Sequence, residues 1–474
     1  MGIPSYFNHI VKTKKDVLEM LEKNNNYNID NFYLDCNSII YNILPHIDYI
    51  NKEDFEYKLI QNVCKDIKNY ILLICPKKKV FIAFDGLAPF AKMKQQKERR
   101  LKSALEDDDS SPWSRCNITP GTPFMNKLDV ALHDFFDDLD LNCIVIISSS
   151  QEDGEGEHKI FDYIRTNKSY HENTNTMIYG LDADLIMLCL SHLKLTNIYL
   201  FRETPYFIHS IDASLKPNEN YILNIKNLSR HIENDMGSNI IDDYIFLCFL
   251  LGNDFLPHFP ALNIRTNGIQ ILMESYKKKM NHKTLIKDNI IQWKNVRYLL
   301  EYLSKEEETI LKIEYKNREK MAKRMNPKSL LDIPLVKREE EELLNPNIRG
   351  WQKKYYKILF KNDDDEIRKK QISLNYIEGL EWTYKYYTEG CINWKWKYNY
   401  CYPPLLEDLF KHIPYFNGDI IKENYEHMTK DEQLMYVIPS KYNSIVPHLM
   451  LSNEKYTFKW VYCRYNWERH IFFE

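Results

Sequence analysis

The stretch Val80 to Lys102, VFIAFDGLAPFAKMKQQKERRLK, decides how the rest of the chain is interpreted. Its first five residues are apolar and too short a run for a helix, so they predict a buried strand that ends just before Asp85. From Pro89 onward four residues recur at helical spacing and share one helix face: Lys92, Gln96, Arg99 and Arg100. A carboxylate able to hold a metal, near a fork of lysine and arginines, suits cleavage beside a terminal phosphate.

The composition is that of an ordinary globular protein. The chain has 474 residues, 44% of them apolar, which predicts about two to three domains with sizeable cores. Its net charge of −3 gives no overall attraction to nucleic acid, so an RNA or DNA site must be a local basic patch. The ten cysteines form no CxxC pair and no zinc spacing, and we expect them to be reduced packing residues of an intracellular protein.

The sequence contains no apparent targeting or membrane segment. The N-terminal MGIPSYF lacks a basic stretch followed by an apolar one, which a signal peptide requires. The longest apolar run, Tyr244 to Leu251, is far shorter than the roughly 20 residues that a bilayer needs, and it predicts a buried helix. We therefore expect a cytoplasmic protein that does not bind membranes.

Five short β-rich runs alternate with longer segments, several of which have a helical period. The runs are residues 31–35, 80–85, 143–148, 176–180 and 197–202. Between the second and third runs, residues 124–139 place apolar side chains on one helical face. This alternation predicts an α/β fold, with a mostly parallel sheet and helices on both faces.

Acidic residues accumulate where the predicted strands end. In parallel sheets ligands bind beyond the carboxyl ends of the strands, so these acids should meet at one edge. An Asp after a strand is often only the N-cap of the next helix, but capping does not explain pairs two residues apart. Converging carboxylates raise one another's pKa unless cations neutralise them, which predicts one or two Mg²⁺ ions, with Mn²⁺ as the alternative. The candidates are Asp35, Asp85, Glu155, Glu157, Asp182, Asp184 and Asp254.

The chain divides into three predicted segments. Residues 1–275 carry the acids, residues 276–345 form a charged helical connector whose charges face solvent, and residues 346–474 form an aromatic-rich, helix-rich region packed against the first. In the last segment, 376–390 predicts a helix and 392–405 an extended stretch. Trp394 and Trp396 in that stretch are suited to stack on bases, although core packing is the commoner role of such residues in a chain that is 14% aromatic.

Several stretches together resemble the Xrn family of 5′→3′ exoribonucleases, within the wider flap-endonuclease-like (PIN-like) nucleases. The stretch 376–396 resembles the second conserved block of that family, so we expect a minimal two-block catalytic core. The other matching stretches are MGIPSYF (1–7), LDCNSIIY (34–41), FDGLAPFAKMKQQKERR (84–100), ITPGTPFM (118–125), GEGEHKIFDYIR (154–165), GLDADLIML (180–188) and LCFLLGNDFLPHFPALNI (247–264).

The resemblance implies a 5′→3′ exoribonuclease that degrades single-stranded RNA with a 5′-monophosphate to nucleoside 5′-monophosphates, using divalent metal. It implies that the seven acids are catalytic and bind Mg²⁺, and that the four residues of the basic helix bind the 5′-phosphate. It also implies that Tyr41, where the family usually has histidine, stacks on the 5′ base with Trp394 or Trp396. A decapping or other RNA-processing protein is an expected partner.

Two other functions remain open at this point. A structure-specific flap-type DNA nuclease would share the acid-lined sheet, although the KMKQQKERR face and the aromatic region argue against it. A catalytically inactive RNA-binding scaffold would share the fold, although all seven acids are present. Degradation of single-stranded RNA compared with flapped DNA, in the presence of Mg²⁺, separates the three.

Overall fold

A seven-stranded sheet forms the centre of the first half of the protein. The computed structural model describes residues 3, 5–14, 16–21, 27–106, 112–362 and 365–473. The strands of the sheet are β1 Leu18–Met20, β2 Asn31–Asp35, β3 Lys79–Ala83, β4 Ile144–Ser148, β5 Asn175–Tyr179, β6 Asn197–Glu203 and β7 Asn220–Asn224. Their spatial order is β1-β7-β6-β5-β2-β3-β4.

The sheet is mostly parallel, as the sequence predicts. Strands β4, β3, β2, β5 and β6 pair in parallel, whereas β7 and β1 add to one edge in antiparallel orientation. All five predicted strands are present within one or two residues of their expected bounds. The two antiparallel edge strands were not predicted.

Helices cover both faces of the sheet because neighbouring strand residues point to opposite sides. Phe32 and Leu34 of β2 pack in one cluster with α2, α3 and α5, whereas Tyr33 packs in another with α1, α6, α8 and α9. The helices of this half are α1 Tyr6–Thr13, α2 Asn37–Ile43, α3 Lys52–Ile74, α4 Phe90–Glu106, α5 Pro123–Asp137, α6 Gly156–Thr166, α7 Lys168–His171, α8 Asp184–His192, α9 Ile225–Met236 and α10 Ile241–Phe249.

Three predicted helices are confirmed. The basic helix is α4, and the buried apolar run lies in α10 except for its last two residues, which follow the helix end at Phe249. The amphipathic stretch is α5, whose N-cap Thr122 accepts a hydrogen bond from the Met125 amide at 3.4 Å. Its buried face includes Phe124 and Leu128. The helix periodicity was readable because each helix buries one continuous apolar stripe.

The second half is mainly helical. The predicted helix over 376–390 lies within a longer one, and residues 392–405 form neither a helix nor a strand. No described helix is both long and apolar enough to cross a membrane. The elements are α11 Gly268–Met280, β8 Ile286–Lys287, β9 Ile290–Ile291, α12 Trp293–Arg324, α13 Ile333–Lys337, α14 Glu339–Glu342, α15 Trp351–Phe360, α16 Glu366–Thr388, α17 Leu406–His412, α18 Lys430–Val437, β10 Tyr456–Lys459 and β11 His470–Phe473.

The expectation that the charged residues of 276–345 face solvent is wrong in part. Helix α12 buries an apolar stripe that includes Trp293 and Leu303 in the main core. Charged side chains of the same region are buried too, among them Glu307, Arg318 and Glu341. The apolar stripe escaped notice because many charged residues separate its members in the sequence.

The main hydrophobic core extends across all three predicted segments. One cluster contains residues of α1 and α8, of α12, and of α16 and α17. Helix α16 packs on both α8 and α10, so an element of the third segment lies directly against the first. The predicted boundaries near 275 and 345 stay predictions.

Candidate active site

Three of the predicted acids follow neighbouring parallel strands. Asp35 is the last residue of β2, Asp85 lies two residues beyond the end of β3, and Asp182 lies three residues beyond the end of β5. Because β3, β2 and β5 are adjacent, their carboxyl ends open at one edge of the sheet. These three acids therefore converge for the topological reason that the sequence predicted.

The other acids come from helix ends. Glu157 lies in the first turn of α6, Asp184 is the first residue of α8, and Asp254 follows α10. Glu155 occupies the N-cap position of α6, but its side chain makes no capping hydrogen bond. Instead Asp85 Oδ1 accepts a hydrogen bond from the Gly156 amide at 2.8 Å. Capping thus fails to explain Glu155, whose carboxylate turns to the site.

One cavity joins the acids to the basic helix. It has a volume of about 140 Å³ and lies between the ends of the strands and α4. We refer to it as the acidic cavity. Its lining contains five of the seven predicted acids, all four predicted residues of α4, and Tyr41: Asp35, Asp85, Glu155, Glu157, Asp182, Lys92, Gln96, Arg99, Arg100 and Tyr41.

Lys92 lies among the carboxylates. Its Nζ is 2.5 Å from Glu155 Oε2 and 2.9 Å from Asp254 Oδ2. Burial alone would lower the pKa of Lys92, but the nearby carboxylates raise it well above its usual range, so the ammonium stays charged. Burial would raise the pKa of Asp254, but the attraction of Lys92 together with other positive groups, among them Arg99, lowers it, so that carboxyl stays ionised. The predicted contact of Lys92 with a 5′-phosphate stays a prediction.

Four of the acids are poorly neutralised. Burial, followed by repulsion from Asp85, raises the pKa of Asp35 well above its usual range. Burial and then Asp184 do the same to Glu157. Burial also raises the pKa of Glu155, and here it outweighs the attraction of Lys92. Burial and repulsion by Asp254 raise the pKa of Asp184 to about 7.

The donor atoms suit a hard divalent cation. Glu157 Oε2 and Asp184 Oδ1 are buried and have no hydrogen-bond partner within the described ranges. Carboxylate oxygens are the ligands that Mg²⁺ and Mn²⁺ prefer. However, no three His, Cys, Asp or Glu side chains of the described residues converge closely enough to form a complete metal site. The residues fit a metal by their chemistry, and the predicted ions stay a prediction.

The other end of the cavity offers an unpaired donor to an anion. Gln96 and Arg100 are buried there, and the donor Arg100 Nη1 has no partner in the part of the chain that the structure describes, nor has the acceptor Gln96 Oε1. Burial lowers the pKa of Arg100, which reflects the cost of holding that charge without a partner. Arg99, one residue earlier, is exposed at the rim of the cavity.

Two residues that the sequence did not single out hold the carboxylates in place. Asn37 Nδ2 donates to Asp85 Oδ2 at 2.6 Å, while Asn37 Oδ1 accepts from the Asp85 amide at 3.1 Å. The Tyr386 hydroxyl donates to Glu155 Oε1 at 2.7 Å. Asn37 lies within the quoted stretch 34–41 and could have been noticed there. Tyr386 lies within the quoted stretch 376–396, but nothing in that stretch indicates that the packing of α16 brings its hydroxyl to the site.

Of the predicted stacking residues, only one lines the acidic cavity. Tyr41 lines the acidic cavity, but neither candidate tryptophan does. The Trp394 ring stacks on His427 with centroids 4.1 Å apart. Trp396 is 8% exposed and stacks on Trp382 at 5.1 Å, so it forms part of the core. The sequence could not distinguish the different packing of Trp394 and Trp396, because both lie in the same aromatic stretch of the chain.

Comparisons with known proteins place most of the chain within one family. The family model described as "XRN 5'-3' exonuclease N-terminus" matches residues 1–204, and the one described as "Xrn1 helical domain" matches residues 235–339 and 337–456. The chain is 27% identical over 610 residues to 5'-3' exoribonuclease 1 of Saccharomyces cerevisiae, covering 94% of this chain and 40% of that protein. It is also 27% identical to 5'-3' exoribonuclease 1 of Homo sapiens over 550 residues, covering 96% and 32%.

The chain therefore spans less than half the length of these two relatives. Among solved structures, the catalytic core of Rad2 in complex with a DNA substrate aligns with a TM-score of 0.38 and 13% identity, over 93% of this chain and 100% of that one. A similarity this weak adds nothing about fold or activity.

Proposed function

The chain belongs to the XRN family of 5'-3' exonucleases, and on that basis we propose that it removes nucleotides stepwise from the 5′-monophosphate end of single-stranded RNA. Each step would release one nucleoside 5′-monophosphate. The observation that carries the proposal is the acidic cavity, in which carboxylates and the anion-binding face of α4 share one space of about 140 Å³.

The face of α4 serves as the end-stop for the RNA. Gln96, Arg99 and Arg100 line the cavity beside the acids, so a bound 5′-phosphate lies one nucleotide from the bond to be cleaved. Hydrogen bonds to charged groups contribute ~1.5–3 kcal/mol each. An RNA that begins with a 5′-hydroxyl loses several of them, which should lower the cleavage efficiency on the order of 10²–10⁴-fold.

The acids hold divalent metal and orient the scissile phosphate. Glu157 and Asp184 supply unpaired oxygens, and the other five acids complete the donor set. A bound Mg²⁺ ion supplies stabilisation of the charge that develops on the phosphate oxygens. Asn37 keeps Asp85 in its rotamer, Tyr386 does so for Glu155, and Lys92 offsets part of the excess negative charge.

The shape of the cavity favours a single strand. Its small volume admits a phosphate group and its immediate neighbours, and excludes a base-paired end or a cap. Tyr41 at the lining is placed to stack on the 5′ base, which contributes ~1–3 kcal/mol for an aromatic and a base. A partner that removes caps or otherwise creates 5′-monophosphate ends would supply the substrate. The ten free cysteines favour action in the reducing cytoplasm.

The decisive experiment compares 5′-monophosphate and 5′-hydroxyl forms of one RNA, with Mg²⁺ or with EDTA, by mononucleotide release. We expect Mg²⁺-dependent release and a strong preference for the phosphate. Arg100→Met should reduce that preference, whereas Arg230→Met, which changes an exposed arginine on α9, should not. Equal rates on both RNAs, or faster cleavage of a flapped DNA, would refute the proposal. RNA binding without any cleavage would favour an inactive scaffold.

A further inference from the structure

A second and larger cavity lies on the other side of α4. Its volume is about 760 Å³, and it is enclosed by α4, the loop that follows α10, and the segment from Tyr398 to His470. Arg99 and Asp254 line this cavity, and the first of them also lines the acidic cavity. Asp254 in turn holds Lys92, which lines the acidic cavity. Arg99 is thus common to the linings of the two cavities.

The two cavities differ in what they can contain. Pockets that enclose small organic ligands measure roughly 300–1,000 Å³. The acidic cavity, at about 140 Å³, lies below that range. The second cavity, at about 760 Å³, falls within the range. A nucleotide detached at the acidic cavity therefore has a space of sufficient size directly across α4.

The walls of the larger cavity match the parts of a nucleotide. Its floor is apolar, with Leu251, Phe255 and Leu256. Both amide atoms of Gln95 in the wall are buried without a hydrogen-bond partner among the described residues, and such a donor–acceptor pair complements the edge of a base. At the mouth, Trp467 stacks on Tyr465 at 4.3 Å and is 57% exposed, which offers a ring face to a base.

The charge of the walls suits a phosphate monoester. Four cationic side chains line the cavity, against three carboxylates. Arg265 pairs with Glu468, and Asp254 pairs with Lys92 from outside the lining, so three cations remain against Glu98. Burial lowers the pKa of His258 in the wall to about 4, so this residue stays neutral and adds no charge. The cations are Lys94, Arg99, Lys102 and Arg265.

We propose that the cavity lined by Gln95, Arg99 and Trp467 is a product site, which receives the released nucleoside 5′-monophosphate before it leaves the protein. The inference rests on the proposed function, because it takes the product of that reaction as the ligand. It implies that release of the nucleotide from this site limits the rate of steady-state turnover and does not affect the rate of the first cleavage.

Ser103→Trp and Ala104→Trp test this inference as a matched pair. Ser103 lines the product site, whereas Ala104 lines a different cavity on another face of α4. With RNA in excess, we expect Ser103→Trp to slow mononucleotide release about 10-fold or more relative to Ala104→Trp. With enzyme in excess, the first cleavage should proceed equally fast in both. Adenosine 5′-monophosphate should inhibit the unaltered protein by lowering kcat, and Ser103→Trp should be less sensitive.

Gln95→Leu provides a second test without added bulk. It should weaken inhibition by adenosine 5′-monophosphate by about 10-fold, through loss of the amide pair, and leave the first cleavage unchanged. Identical behaviour of Ser103→Trp and Ala104→Trp in both regimes, with inhibition by the nucleotide purely competitive, would overturn the product site while the proposed function stands. A slower first cleavage in Ser103→Trp would assign the cavity to the RNA strand instead. Absence of mononucleotide from the unaltered protein would refute the proposed function itself.

Discussion

The protein contains two buried clusters of charged side chains, which differ in how completely their charges are paired. In the first, which we call the Glu341 cluster, the carboxylate of Glu341 accepts hydrogen bonds from Arg318 Nε and Nη2 at 2.5 Å each, from Arg338 Nη2 at 2.7 Å, and from the Tyr462 amide at 2.9 Å. Burial would raise the pKa of Glu341, but Arg318, Arg338 and the Tyr462 amide together outweigh burial and lower the pKa. Every charge in this cluster meets an opposite one.

The acidic cavity lacks that balance. Five carboxylates line it with the cations Lys92, Arg99 and Arg100, and yet the pKa values of Asp35, Glu155, Glu157 and Asp184 are raised. A fold gains nothing from buried carboxylates that repel one another. Complete pairing thus marks the Glu341 cluster as structural, and incomplete pairing marks the acidic cavity as a site for ligands that carry positive charge. Four predictions test the comparison, from the largest expected effect to the smallest.

Glu341→Gln should cost the most stability. Removing one partner of a buried ion pair leaves the other charge uncompensated, so the free energy of unfolding should fall by about 3–5 kcal/mol. Denaturant titration measures this change. Glu342→Gln, at the next and exposed position of α14, should leave the midpoint nearly unchanged. RNA cleavage per folded molecule should be equal in both variants. Equal stability of the two would contradict a structural role for the Glu341 cluster.

Asp184→Asn should have the opposite effects on stability and activity: it should preserve the stability of the protein and reduce RNA cleavage. It removes a buried charge that repels Asp254, so the protein without metal should be as stable as before or more so. Mononucleotide release should fall about 10²–10³-fold, the usual cost of losing one group that stabilises transition-state charge. Cleavage assays and denaturant titration on the same preparation give both values. A variant that is destabilised yet fully active would show that Asp184 is structural.

The stability of the acidic cavity should depend on pH in a direction that its pKa values define. Because the pKa of Asp184 rises from 3.8 to about 7 on folding, the native state keeps a proton that the unfolded chain loses above pH 4. In EDTA, this residue should therefore lower the free energy of unfolding by about 1.4 kcal/mol for each pH unit between about 4 and 7. The stability advantage of Asp184→Asn should grow over that window and vanish in Mg²⁺. An advantage that shrinks as the pH rises would refute the assignment.

The sequence predicted one of these clusters and not the other. Asp35, Asp85 and Asp182 lie at or just beyond the ends of parallel strands. In a parallel sheet the carboxyl ends of neighbouring strands meet at one edge, whichever side chains pack around them. Arg318 and Glu341 lie in runs of charge that look exposed, and each is buried only because the other meets it after the helices pack. The short strand β1 was missed for a similar reason, since three residues carry too little pattern. What is local or topological was predictable, and what depends on distant partners was not.

Tyr386→Phe should have the smallest effect. It compares two tyrosines of helix α16, of which one contacts the acidic cavity and the other does not. The Tyr386 hydroxyl donates to Glu155 Oε1, whereas the hydroxyl of Tyr384, two residues earlier, has no partner among the described residues. Removing a group that orients a metal ligand typically costs about 10–100-fold in metal affinity, so Tyr386→Phe should raise the Mg²⁺ concentration for half-maximal cleavage about 10-fold. Tyr384→Phe should leave it unchanged and keep or increase stability, because it deletes an unsatisfied polar atom. Equal Mg²⁺ requirements in both variants would mean that Tyr386 only packs against the acidic cavity.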